Sequence, residues 1–156
     1  MDKTILKINS SDFGIIASQI LNDGRSLKFI ATGQSMHPSI HNGDLITVIP
    51  INGINLRCGD VILYLTNETH SPIAHRILSI KTTKTGKMLY VRGDALGGHR
   101  ECITPKNILG KAVKLERNGH TIIIDTPASR LKGRMRGIIQ SLRHKYFNIL
   151  RSKTRH

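Results

Sequence analysis

Ser35 stands two residues after a glycine and three before a proline, in the stretch Gly33-Gln34-Ser35-Met36-His37-Pro38-Ser39-Ile40-His41-Asn42-Gly43-Asp44. Gly33 permits a close backbone approach to whatever binds beside the serine. Pro38 fixes its own φ and biases His37 away from helix, so a rigid bend is predicted around the hydroxyl. Such a serine can offer its hydroxyl and its backbone N–H to the same carbonyl. It becomes a useful nucleophile only when a neighbouring base takes its proton. Among the eight histidines, His75 has a distinctive setting, Ala74-His75-Arg76-Ile77 inside an otherwise apolar run. Acids are scarce, and Asp94 closes a strand-like run in Val91-Arg92-Gly93-Asp94-Ala95. Ser35, His75 and Asp94 are therefore a candidate nucleophile, base and acid, a set to be judged by geometry. An unperturbed imidazole titrates near about 6.5, and an adjacent Asp94 is expected to move it upward.

Other polar residues read more simply. Asp44 and Asp60 follow glycines and read as turn residues. His37 and His41 are four apart, but Pro38 intervenes and no carboxylate clusters with them, so no metal site is expected. Cys58 and Cys102 have no metal-ligand spacing. They suit a reducing compartment better than a disulfide framework. No cofactor is expected.

The boxes Gly33-Gln34-Ser35-Met36-His37-Pro38 with Gly43-Asp44, Cys58-Gly59-Asp60-Val61, Ala74-His75-Arg76-Ile77, Arg92-Gly93-Asp94-Ala95 and Leu109-Gly110-Lys111-Ala112 resemble, in order, those of the signal peptidase I family. That family shares its all-β fold and Ser-Met motif with the LexA-type self-cleaving repressors. The resemblance covers about residues 25–117. It implies Ser35 as nucleophile and, because His75 stands where the lysine-type members carry lysine, a histidine general base of the archaeal and endoplasmic-reticulum type. It implies Asp94 as acid partner, and the Ser35 N–H within an oxyanion and substrate-binding segment of Gly33, Gln34, Met36 and Pro38. The histidine-type enzymes usually carry a second aspartate after the Gly-Asp box. Here that region reads Gly97-Gly98-His99-Arg100-Glu101, which leaves both Asp94 and Glu101 as the acid that orients His75. The family's substrate class implies a signal or leader peptide with small side chains before the cut.

To position these residues the chain needs strands. Residues 11–23 read as a short amphipathic helix capped by Ser10 or Ser11, with Phe13, Ile16, Ala17, Ile20 and Leu21 on one face. Strands are expected at Ser26–Thr32, Leu45–Ile51, Val61–Thr66, Ile73–Ile80, Met88–Arg92, Lys111–Arg117 and His120–Asp125, with Gly97-Gly98 as a loop. Asn118-Gly119 is a strong two-residue hairpin signal. The expected fold is mainly β, a LexA/signal-peptidase-like peptidase domain over 1–128, followed by a basic amphipathic helix over 129–156.

The formal charge of +14 is unevenly spread: residues 130–156 carry nine Lys/Arg and no acid. Leu131, Met135, Ile138, Ile139, Leu142, Phe147, Ile149 and Leu150 form an apolar stripe there. Three readings fit this tail: a helix packed on the domain, an interfacial helix on anionic lipid, or a nucleic-acid arm. The lack of interleaved aromatics argues against nucleic acid. No run approaches the roughly 18–20 apolar residues of a membrane span, and no signal peptide is visible. A cytoplasmic protein, peripheral at the membrane, is the expectation. The function expected is a serine endopeptidase that binds a peptide or preprotein in extended form. A LexA-like self-cleaving regulator and a non-catalytic basic binding module are the alternatives.

Overall fold

The computed structural model describes residues 9–136, 138 and 139. It is mainly β. Helix α1 (Ser10–Asn22) precedes β1 (Leu27–Ile30), β2 (Leu45–Ile49), β3 (Val61–Leu65), β4 (Pro72–Thr83), β5 (Gly86–Arg92), β6 (Arg100–Ile103), β7 (Ile108–Arg117) and β8 (His120–Ile123). A second helix, α2, covers 127–136, and residues 138 and 139 are helical as well. The strands form one antiparallel sheet in the order β1-β2-β7-β3-β4-β5-β6, with β8 also paired to β7. Strand β7 is the spine: β2 lies along one edge, and β3 and β8 share the other. Asn118 and Gly119 both adopt positive φ, as the tight turn between β7 and β8 requires.

Alternation along β3 divides the interior in two. Val61 and Leu63 face a cluster with Ala17, Leu21, Met36, Ile46, Val48 and Leu115. Ile62 and Tyr64 face a second cluster with Ile77, Leu89, Val91, Ile103 and Ile108. This period of two is what β-branched and aliphatic runs dictate on a strand covered on both faces.

Two expectations are corrected, and one strand is added. Helix α1 is capped by Asn9, whose side chain accepts from the Asp12 N–H, rather than by a serine. Ile16 is exposed and Gly14 is buried in its place. The reason is a close approach: a Cβ on Gly14 would already touch Leu65 and Pro72, and the inward face of α1 runs through Gly14, Ala17 and Leu21. Strand β6 is the addition: Arg100-Glu101-Cys102-Ile103 shows no apolar alternation. It is held instead by its register against β5.

Helix α2 docks by its polar side. Arg130 reaches Asp60 and Asp125, which also bind the buried Lys111. Gly59 and Gly133 let the chains meet: a Cβ on Gly59 would collide with Arg130, and one on Gly133 with Arg76. The expected apolar positions Leu142, Phe147, Ile149 and Leu150 lie outside the described residues.

Candidate active site

Ser35 sits in the loop between β1 and β2. The loop is pinched at its base by Ala31 N–H to Asp44 O (2.8 Å) and Gly43 N–H to Ala31 O (2.9 Å). Gly33 has φ +86, a left-handed conformation that favours glycine. Its N–H donates to Asn42 Oδ1 at 3.1 Å. Met36 and Ile40 plug the loop into the first core, while Gln34, Ser35, His37 and Pro38 stay exposed. Asp44 is more than a turn residue. It is buried, accepts from the His41 N–H and forms a two-pronged pair with Arg117 at 2.8 and 2.6 Å. That guanidinium holds the Asp44 carboxyl below the usual range. His37 and His41 stack with ring centroids 5.0 Å apart, and among the described residues no metal-ligating cluster forms.

His75 lies on β4 opposite Ile62 of β3. Its Nδ1 is 3.0 Å from the hydroxyl of Tyr64, and that hydroxyl donates to Glu101 Oε2 at 2.7 Å. Burial and the nearby Glu101 carboxylate push the phenol upward, so Tyr64 keeps its proton. With that proton committed to Glu101, the Tyr64 oxygen accepts from Nδ1–H. This assigns the tautomer whose lone pair is on Nε2. Nε2 is buried and has no hydrogen-bond partner among the described residues. Burial pushes His75 below its ordinary value, against the upward pull of Glu101 and then Asp94. The sequence predicts an upward shift because it shows the acid but not the desolvation.

Gly93 joins serine to histidine. A Cβ built there would lie 2.3 Å from the Ser35 carbonyl oxygen and 3.2 Å from His75 Nε2. Serine backbone and imidazole thus face each other across one glycine. Two residues further on, Ala95 N–H donates to Ser35 O at 2.9 Å, tying the serine loop to the chain just beyond β5.

Asp94 is nearby but differently engaged. Its carboxylate takes two bonds from Arg76, at 2.8 and 2.6 Å, and one from Ser39 Oγ at 2.5 Å. Arg76 also donates to Gly59 O, and Arg136 of α2 donates to Ser39 Oγ at 2.9 Å. Asp94 therefore ties β4, the serine loop and α2 together, whereas Glu101 reaches the imidazole through Tyr64. Sequence reasoning passed over Tyr64. The one available signal was a tyrosine two positions from Ile62 on an otherwise aliphatic strand. Chemically, the arrangement offers an exposed serine, an imidazole with an available lone pair, and a fixed tautomer.

No protein-family model matches the chain. It is 38% identical over 61 residues to a signal peptidase complex catalytic subunit, SEC11, from Plasmodium falciparum (isolate 3D7), a match covering 38% of this chain and 32% of that relative. The match thus spans about a third of the relative's length. The partial likeness supports a signal-peptidase-like relationship.

Proposed function

We propose that this chain is a serine endopeptidase of the signal-peptidase kind, acting on signal or leader peptides. The observation that carries the reading is the approach of His75 Nε2 to the Ser35 backbone across Gly93. In this scheme Ser35 Oγ attacks the scissile carbonyl carbon while Nε2 takes the hydroxyl proton. The Ser35 N–H supports the oxyanion. Collapse breaks the C–N bond, and the proton on Nε2 passes to the leaving amine. Water then attacks the acyl-enzyme and gives a proton to Nε2; the acyl–Oγ bond breaks, Oγ takes that proton, and the carboxyl product leaves. Glu101 acts through Tyr64 to hold the tautomer and to stabilise the transient imidazolium.

An extended substrate has a place to bind. Pairing of β5 with β4 stops at Arg92 opposite Arg76, so the β4 edge at Pro72–His75 carries no β5 partner. A peptide added there as a strand would bring its backbone alongside His75.

The test is mass spectrometry of secretory precursor peptides incubated with the full chain and with Ser35→Ala. Ser35 is exposed, so Ser35→Ala folds normally and loses cleavage. Equal cleavage by both proteins would remove Ser35 from the chemistry.

A further inference from the structure

Helix α2 is mounted with its polar side inward. Ser129, Arg130, Gly133 and Arg136 face the domain, at the spacing of one helical face. The opposite face carries Leu131, Met135, Ile138 and Ile139, which are 57%, 54%, 58% and 53% exposed. At 100° per residue these four fall within one apolar sector. Lys132 and Arg134, both exposed, flank it on its two sides. An ordinary packing helix would turn this stripe to the core. Here the inward face is occupied by ion pairs and by a glycine that meets Arg76.

We infer that this face is a docking surface for an anionic lipid bilayer. Leu131, Met135, Ile138 and Ile139 would enter the acyl boundary while Lys132 and Arg134 reach the headgroups on either side. Charge complementarity favours lipid over a protein partner. Residues 130–156 carry nine Lys/Arg and no carboxylate, which suits a surface that is anionic throughout. Among the described residues no helix is long and apolar enough to cross a membrane. The docking surface also bears on the site. Arg136 holds Ser39, four residues beyond Ser35, and Gly133 lies on Arg76, next to His75. A docked helix thus fixes the serine loop at the bilayer surface. The substrate would be a leader still held at that surface, a step that rests on the peptidase reading.

Flotation of the full chain with phosphatidylcholine vesicles, with and without phosphatidylglycerol, tests the surface itself. The wild type floats with the phosphatidylglycerol vesicles and is released by salt. Leu131→Ser/Met135→Ser/Ile138→Ser lowers partition about tenfold or more, with unchanged thermal melting. Lys132→Gln/Arg134→Gln, which leaves the apolar stripe intact, weakens binding and flattens its salt dependence. Ser35→Ala floats like wild type whether or not the chain is a peptidase, which separates the two readings. A wild type that stays down with phosphatidylglycerol vesicles overturns the proposal, as does a triple variant that floats equally. Self-association of the wild type that the triple variant abolishes would also overturn it, and would assign the face to a second copy.

Discussion

The Tyr64 hydroxyl lies 3.0 Å from His75 Nδ1 and stands where a carboxylate would orient a basic histidine directly. Glu101 stands one bond further out. Tyr64→Phe keeps the ring packing in the second core but leaves Nδ1–H without its acceptor. Cleavage should fall, by less than the roughly 10²–10⁴ expected for His75→Ala. Glu101→Gln removes the larger of the two charges that favour the imidazolium, so the histidine titrates at still lower pH. The acid limb of the rate profile, already below about 6.5, should move down while the plateau drops. An NMR titration of His75 reads the same shift without substrate. A limb that stays fixed in Glu101→Gln would reduce the Tyr64–Glu101 pair to a structural role.

Gly93 is a second test of the geometry, because its constraint is steric. A methyl group there would sit 2.3 Å from the Ser35 carbonyl oxygen, a separation that backbone atoms cannot accept. Gly93→Ala must displace the serine loop and lengthen the Ala95 N–H to Ser35 O bond. Overpacking of this kind costs about 1–3 kcal/mol, so the protein should still fold. Misplacing the nucleophile by about 1 Å costs on the order of 10² in rate. Cleavage kinetics beside a thermal melt would check both; wild-type kcat/KM in a folded Gly93→Ala would mean that Ser35 is not held against His75 in the active form.

Much of the fold was legible because β-branched and aliphatic runs bounded by turn residues encode strands locally. Leu45–Ile49 and the Asn118-Gly119 turn are cases. Strand β6 was not legible, since its identity depends on pairing with β5 rather than on its own pattern. The same distinction governs the site. Ser35 and His75 could be picked out by their neighbours in the chain. The contact of Tyr64 with both His75 and Glu101 depends on the register of β3 against β4 and on where β6 ends up. The orientation of α2 was hidden for a related reason. An apolar stripe predicts which residues share a face, but only the ion pairs of Arg130 show which face turns inward.

Asp94 and Glu101 are the two acids near His75, and their environments predict different balances of stability and titration. Asp94 and Arg76 are each about 5% exposed and paired at 2.6 Å. Neutralising one partner leaves a buried, uncompensated charge, and breaking such a pair costs about 3–5 kcal/mol. Asp94→Asn should therefore lower the melting temperature sharply. Its effect on the rate profile should be small, because Asp94 ranks below Glu101 among the charges acting on His75. The sign is shared: losing either carboxylate disfavours the imidazolium and moves the acid limb to lower pH. The size is not, and Glu101→Gln should give the larger displacement with the smaller loss of stability. Paired measurements of melting temperature and His75 titration in the two variants decide the matter. If Asp94→Asn moves the titration further than Glu101→Gln while melting as wild type does, Asp94 orients the base and the Tyr64 bridge does not.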